Sequence, residues 1–341
     1  MNNFKSAIRT CIIFLIVLTI LSAAIMSAFF IGENYYYQDS RERAELSGTL
    51  DFFVCGASHA MRGFRPDILD QELGVNSYNL SCSRQTMQGR YELLNLELNR
   101  NPAKTVVLEL SYDSMTRNRD EEGPEGDMYM LGKLGGFMPR IKYFFSAIRP
   151  KEYGRMYYNY IDNGVNCIKK IIHGTWTNKN TKLEKGYAAY KRDDDELNQD
   201  LKKIYHTRSF EETVYEPNVE YLNKIIALCK EKNVQLILVT TPLSKVTVCR
   251  YDNLDTFKEW YENVANENGL QYYDFNLIRD KEEKLPDSSA FSDKFHLGNK
   301  GAGTFTKMFT DVLNKEAAGE DTSSLFYGSY SELESHMTLD K

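Results

Sequence analysis

Short strand-like runs that alternate with helical patterns constrain the fold of this chain most. The runs span residues 50–55, 75–80, 104–110, 234–240 and 270–274. The third, KTVVLEL, is nearly continuous in apolar residues, as expected for a strand buried on both faces of a sheet. Helical patterns cover residues 65–73, 85–98, 216–232, 254–267 and 298–313. The alternation predicts an α/β fold for residues 50–315, with a three-layer α/β/α arrangement around a mostly parallel sheet.

Three segments fall outside this alternation. Residues 114–215 hold a Gly-rich piece, a charged piece and many tyrosines, and we interpret them as an inserted cap that is partly helical. Residues 33–49 are polar and are interpreted as a juxtamembrane stalk. Residues 316–341 are acidic and polar, so we expect a loose tail.

The first 32 residues have a different character from the rest. Cys11–Ile31 carries no charge and has the length, about 20 residues, that a helix needs to cross a bilayer. A cleaved signal peptide has a shorter apolar region and a clear small-x-small site, so we favour an uncleaved anchor after a cytoplasmic tail. Arg9 lies closer to the span than Arg41 and Arg43 do. This favours a large domain outside the cytoplasm, and a cytoplasmic domain is the alternative.

Composition and spacing exclude several classes of function. The net charge of −6 gives no basic surface for nucleic acid. The six cysteines, of which Cys11 lies in the span, show no CxxC spacing, so they predict no disulfide framework. No HxH or HExxH spacing indicates a metal site, and no cofactor is expected.

A serine and a histidine at the two ends of the α/β region indicate nucleophilic catalysis. Ser58 follows the first strand-like run, and Asp293-x-x-His296 lies near the last helical pattern. A serine hydroxyl becomes a nucleophile when a neutral imidazole accepts its proton and a carboxylate orients that imidazole. We therefore predict Ser58 as nucleophile, His296 as base and Asp293 as its orienter. His59 is interpreted as local structure, because adjacent side chains should diverge; a role in shaping the site is the alternative.

These motifs resemble the SGNH, or GDSL-like, hydrolase superfamily, whose fold is flavodoxin-like. They are most similar to its membrane-anchored branch, which includes the teichoic-acid D-alanylation protein DltD and alginate acetylation proteins. The first block is similar to Gly56-Ala57-Ser58-His59, and the second to residues 79–86, where Arg84 replaces the family glycine. The third block departs from the pattern, because Ser111 and Tyr112 stand where the family has an asparagine.

An acyl-transfer site also needs donors for the oxyanion of the tetrahedral intermediate. The backbone N–H of Ser58 is one candidate, and the resemblance implies a second at Arg84, whose side chain could contact an anionic substrate or face solvent. Ser111 or Tyr112 could replace the missing asparagine, or the third donor could be absent.

The resemblance implies an acyltransferase or esterase acting on acetyl or D-alanyl groups of cell-envelope polymers. The expected partners are an envelope glycan or teichoic-acid-like polymer and a membrane-bound O-acyltransferase. One alternative is a carbohydrate or lipid esterase that uses water. Another is a non-catalytic protein that keeps the fold and binds or assembles envelope polymers.

Overall fold

The computed structural model describes residues 2–32, 35–175, 183–189 and 197–337 of the chain. The chain divides into two compact units. The first unit combines Met1–Glu42 with Leu131–Lys182, and the second combines Arg43–Met130 with Leu183–Lys341.

The second unit contains one sheet of five parallel strands. The strands are β1 (Phe52–Cys55), β2 (Ser77–Asn79), β3 (Thr105–Glu109), β4 (Gln235–Thr240) and β5 (Gln271–Asp274). Their order across the sheet is β2-β1-β3-β4-β5, which is the flavodoxin-like order. The predicted α/β class and parallel sheet are confirmed. The bounds of each predicted strand agree with the observed bounds to within two residues. They agree because a buried parallel strand is recognisable in the sequence as a short apolar run between polar turns.

Helices account for most of the remaining described chain. In chain order they are α1 (Asn2–Gly32), α2 (Tyr35–Glu45), α3 (Ser58–Gly63), α4 (Pro66–Leu73), α5 (Met87–Leu98), α6 (Arg119–Glu122), α7 (Glu125–Lys133), α8 (Phe137–Ala147), α9 (Tyr153–Ile172), α10 (Leu201–Ile204), α11 (Glu216–Glu231), α12 (Lys245–Arg250), α13 (Leu254–Asn268), α14 (Lys281–Lys284), α15 (Asp287–Ala290), α16 (Asn299–Ala317) and α17 (Tyr330–His336). Short 3₁₀ turns cover Pro150–Glu152 and Ser323–Leu325.

Helices flank the sheet and bury its apolar side chains. Helix α16 packs against α3 and α4, and α11 packs against α5. An aromatic cluster fills the space beside α16, where the Phe64 ring meets the rings of Phe305 and Phe309 edge-to-face at 4.9 and 5.2 Å. Such pairs stabilise a core by about 1 kcal/mol beyond the area that they bury. The cluster anchors the helix that follows the predicted catalytic turn.

The predicted stalk, residues 33–49, is helical for most of the part that the structure describes. Residues 33–34 lie outside the described residues, and α2 covers the next eleven. Arg43 is buried in the second unit, where its Nε donates to Glu97 Oε1 at 3.1 Å and its guanidinium lies over the Tyr78 ring. The end of the predicted stalk is therefore part of the α/β domain, because a buried ion pair holds it there.

The predicted cap, residues 114–215, is divided between the two units. Residues 131–182 belong with the N-terminal helix, because α9 packs against α1, whereas the rest belongs with the sheet. Residues 176–182 and 190–196 of this segment lie outside the described part of the chain. The first unit thus contains α1, whose segment Phe4–Ala28 is long and apolar enough to cross a membrane.

The tail beyond Glu316 differs from the loose segment that its composition predicts. Helix α17 begins at Tyr330, which is 3 % exposed, and the Tyr330 hydroxyl donates to Asp274 Oδ2 at 2.9 Å. Tyr112 also donates to this carboxylate oxygen, at 3.0 Å. Tyr330 holds the tail against the sheet, because it is one of two tyrosines that donate to this buried carboxylate. Residues 338–341 lie outside the described residues.

Candidate active site

The turn that presents Ser58 is held by Glu109, the last residue of β3. The Ala57 N–H donates to Glu109 Oε2 at 3.2 Å. Gly56 is required for this contact, because a Cβ at that position would lie 2.6 Å from the Cβ of Ala60 and 2.7 Å from the Cβ of Glu109. The small residues before Ser58 therefore allow β1 to pass directly into α3 beside a buried carboxylate.

Asn79, at the end of β2, holds the other side of α3. Its Nδ2 donates to the carbonyl oxygens of Ala60 and Phe64 at 2.8 and 3.1 Å. Its Oδ1 accepts from the N–H of Ser81 at 3.1 Å. Asn79 thus fixes the short helix that begins at Ser58, since it bonds both to that helix and to its own loop.

The turn that carries the base is built by Asp293. Asp293 Oδ1 accepts from the backbone N–H groups of Phe295 and His296 at 2.8 and 2.9 Å. The buried Ser292 closes the turn, because its N–H donates to the carbonyl oxygen of His296 at 2.8 Å. Helix α16 follows directly and packs against α3, so the turn is held next to the start of α3.

Ser58, His296 and Asp293 form one continuous chain of hydrogen bonds. His296 Nε2 lies 2.9 Å from Ser58 Oγ, and His296 Nδ1 lies 2.9 Å from both carboxylate oxygens of Asp293. A carboxylate only accepts, so Nδ1 carries the imidazole proton and Nε2 is free to accept the proton of Ser58. The geometry is that of a serine nucleophile with its base and orienting carboxylate.

The electrostatics keep Asp293 ionised. Burial opposes its ionisation, but the hydrogen bond and charge of His296 and two backbone N–H groups outweigh that effect and lower its pKa. Arg62 Nη1 lies 3.6 Å from Asp293 Oδ2 and adds a positive charge. An ionised Asp293 can stabilise the imidazolium that forms when His296 takes up a proton.

His59 also lies in the site, although its sequence position favoured a local structural role. Its ring meets the His296 ring edge-to-face at 5.0 Å. Burial, followed by the nearby His296, lowers the pKa of His59 from 6.5 to about 4. His59 Nδ1 lies 3.8 Å from Glu109 Oε1. His59 is therefore a neutral neighbour of the base at physiological pH.

Ser58 and His296 open into a cleft of about 240 Å³ at the carboxyl ends of the strands. In parallel sheets this edge is where ligands bind. Its lining combines polar groups with the apolar side chains of Phe210, Leu243 and Phe295. The full lining is Ala57, Ser58, His59, Ser111, Tyr112, Asp113, Arg117, Phe210, Leu243, Phe295 and His296.

The additional oxyanion residues predicted from the sequence are only partly brought together. Ser111 and Tyr112 line the cleft, whereas the exposed Arg84 is not part of its lining. The Ser111 hydroxyl donates to Asp113 Oδ1 at 2.9 Å, and the Tyr112 hydroxyl points to Asp274. Both hydroxyls are engaged elsewhere, so neither takes the place of the family asparagine as a side-chain donor. The N–H of Ser58 lies in the first turn of α3, where amides have no partner within the helix.

Sequence reasoning missed three polar residues of the site: Arg62, Asp113 and Arg117. Asp113 and Arg117 are i, i+4 neighbours with Arg117 Nε 3.8 Å from Asp113 Oδ2. The i, i+4 spacing of Asp113 and Arg117 and their position after β3 were the sequence signals that could have identified them. Among the described residues, no group of three or more His, Cys, Asp or Glu side chains is arranged to hold a metal ion.

Comparison with known proteins gives distant likenesses only. A protein-family model that carries no descriptive name matches residues 195–318, which is less than half of the chain. No curated protein matches the chain. Several solved structures are similar in part, and three of them are identical to this chain at about one residue in ten.

The first of these structures is a protein provisionally assigned as an acylhydrolase, from Bacteroides fragilis. It is 10 % identical with a TM-score of 0.41, covering 81 % of this chain and 94 % of its own. The second, a provisionally assigned lipolytic protein of the G-D-S-L family from Desulfitobacterium hafniense, is 11 % identical with a TM-score of 0.37, covering 78 % and 100 %.

The third structure, provisionally described as a platelet activating factor, comes from Streptococcus pneumoniae. It is 10 % identical with a TM-score of 0.37, covering 88 % of this chain and 99 % of its own. The first two descriptions name the hydrolase class that the sequence motifs resemble. The likeness is too distant to assign an activity, so the function is inferred from the geometry of the site.

Proposed function

We propose that this chain is a serine hydrolase of the SGNH type that forms an acyl-enzyme on Ser58. The observation that carries the proposal is the unbroken hydrogen-bond chain from Ser58 Oγ through His296 to Asp293, with 2.9 Å at each link. It lies in an open cleft, and the side chains of His296 and Asp293 are 18 % and 19 % exposed. A purely structural network of this kind has no need to face a cleft.

The proposed reaction has two halves. Ser58 Oγ attacks the acyl carbonyl carbon while its proton moves to His296 Nε2, and the resulting imidazolium is stabilised by Asp293. The Ser58 N–H is the proposed donor to the oxyanion. The tetrahedral intermediate collapses when the donor oxygen leaves with the proton from His296. Water or an acceptor hydroxyl then loses its proton to His296 and attacks the acyl-enzyme. Ser58 Oγ leaves as His296 returns this proton to it, which restores the free enzyme.

We further propose that the second half-reaction transfers an acetyl or D-alanyl group to a cell-envelope glycan or teichoic-acid-like polymer. Support comes from α1, which is long and apolar enough to anchor the enzyme in the cell membrane, and from the resemblance of the site motifs to membrane-anchored relatives. Arg9 before the span supports a domain outside the cytoplasm. A membrane-bound O-acyltransferase is the proposed source of the acyl group.

Labelling by a fluorophosphonate probe tests the nucleophile. The wild-type protein should be labelled, and Ser58→Ala should lose all labelling because the probe needs an activated serine oxygen. Ser288→Ala, which removes an exposed serine in α15, is the matched control and should be labelled like wild type. Equal labelling of wild type and Ser58→Ala would refute the proposal. Absence of labelling in both, with binding of an envelope glycan, would favour a non-catalytic binding protein.

The acceptor is tested by following a labelled acyl group from donor to product. Transfer to a glycan or teichoic-acid-like polymer predicts isotope in the polymer, dependent on Ser58. Release of free acetate or D-alanine alone would instead identify an esterase that uses water.

A further inference from the structure

The first unit exposes an unusual number of large apolar side chains outside α1. Among the described residues beyond α1, nine large hydrophobic side chains are exposed, and seven of them lie on α8 and α9. The most exposed are Phe137, Met138, Phe145, Tyr158 and Ile172, each at 67 % or more. Concentration of this kind marks a surface that contacts something other than water.

Helix α9 is divided lengthwise into an apolar and a polar half. At about 100° per residue, one half of its circumference carries Tyr157, Tyr158, Ile161, Val165, Ile168 and Ile172. The opposite half carries Arg155, Asn159, Asp162, Asn163, Asn166 and Lys169. Such a sharp division is typical of a helix that lies in the plane of a membrane interface.

The side of α9 next to its apolar half is packed tightly against α1. A Cβ at Gly164 would lie 2.2 Å from the carbonyl oxygen of Ile25, so only glycine permits this approach. Cys167 Sγ lies 3.3 Å from the carbonyl oxygen of Ala28, and the hydroxyls of Ser22 and Tyr157 are 2.5 Å apart. Of the apolar half itself these contacts involve only Tyr157, and Tyr158 and Ile172 remain exposed.

The contacts fix the position of α9 along the span. Ser22 and Ala28 belong to the last part of the segment Phe4–Ala28 that is long enough to cross a membrane. Six residues separate them, which is about 9 Å along a helix. A helix held at this level lies where an interfacial helix inserts, about 5–10 Å into the boundary between headgroups and acyl chains.

We propose that α8 and α9 form a second membrane contact, in which their exposed apolar side chains enter the outer part of the bilayer beside α1. The inference rests on the proposed anchoring by α1. The occupant is the lipid bilayer rather than a protein, because the surface is continuous with a helix that itself lies in lipid. Lys142, Lys169 and Lys170 are exposed near this surface and suit contact with anionic headgroups.

The test uses the full-length protein with Cys11→Ser, since the other five cysteines are buried. An environment-sensitive NBD label is attached to Phe145→Cys or Tyr158→Cys after reconstitution into phosphatidylcholine and phosphatidylglycerol vesicles. Both labels should emit at shorter wavelength and be quenched about threefold more by nitroxides near the lipid carbonyls than a label at Asn163→Cys, on the polar half of α9.

A label at Leu15→Cys, in the middle of α1, separates this inference from the anchoring on which it depends. That label should be quenched by nitroxides near the ends of the acyl chains; failure there would refute the anchor itself. A quenched Leu15→Cys label together with water-like emission at Phe145→Cys and Tyr158→Cys would overturn the second contact alone. Circular dichroism verifies that each labelled variant is folded.

Discussion

At the scale of single residues, the site depends on how the neighbours of the three central side chains are charged. His59 is the clearest case, because it touches the base without belonging to the hydrogen-bond chain. Its side chain enters the cleft next to that of Ser58, since consecutive side chains at the start of a helix are only about 100° apart. The expectation that the two side chains diverge holds for a strand and not for this turn.

The lowered pKa of His59 makes the stability of the fold depend on pH. The folded state takes up the proton near pH 4, whereas an ordinary histidine does so near 6.5. Protons therefore bind the unfolded chain first, and stability falls as the pH drops from about 6.5 towards 4. At pH 4.5 the loss from this one group is about 2 to 3 kcal/mol.

Replacing His59 by an uncharged residue should remove that loss. We expect the free energy of unfolding of His59→Gln to fall less between pH 7.5 and pH 4.5 than that of wild type, by about 2 kcal/mol. Urea unfolding in detergent at the two pH values measures it. His173→Gln changes an exposed histidine and should follow wild type. A difference of the same size in both variants would show that His59 is not the cause.

At the scale of elements, the junction between β1 and α3 determines where the nucleophile lies. Its shape follows from small residues, because Glu109 occupies the space that a side chain at Gly56 would need. The motif could be identified in the sequence, but the carboxylate that it packs against could not. Glu109 is 53 residues away from Gly56, and nothing in the local pattern links the two positions.

Adding one methyl group at Gly56 should disturb this junction. Gly56→Ala would force contacts of 2.6–2.7 Å with Ala60 and Glu109, so we expect a loss of about 1–3 kcal/mol in stability and a lower rate of labelling at Ser58. Gly154→Ala is the matched control, because no atom lies within 4 Å of a Cβ there. Unfolding by urea and the time course of probe labelling provide the two measurements. Normal labelling of Gly56→Ala would contradict this account of the turn.

At the scale of the whole molecule, most of the α/β core could be predicted from the sequence and its periphery could not. The five strands and the Ser58, His296 and Asp293 arrangement follow from local apolar runs and from motifs. The contacts of the segments interpreted as cap and tail could not be predicted, because they are distant in sequence: α9 meets α1, and Tyr330 meets Asp274. Composition gives the residue types of a segment, whereas the structure of these segments depends on contacts with residues far away in the sequence.

The end of the chain should therefore contribute to global stability. Tyr330→Phe removes one of two tyrosine donors to the buried Asp274, and we expect unfolding to become easier by about 2 kcal/mol. Tyr327→Phe serves as control, because the Tyr327 ring packs on Arg279 and should keep that contact. Both variants are compared with wild type by urea unfolding. An unchanged Tyr330→Phe would mean that the tail makes no contribution through this bond.

The turn from Asp293 to His296 has one more consequence. The Asp293 carboxylate shapes the backbone of the turn and orients the His296 ring. Asp293 and His296 are therefore positioned relative to each other within this one turn. Folding has only one long-range distance left to set, between residues 238 positions apart in the sequence. The rate at which Ser58 reacts therefore reports the distance between Ser58 and His296. A substitution elsewhere in the α/β domain should therefore slow the acylation of Ser58 before it measurably lowers the free energy of unfolding.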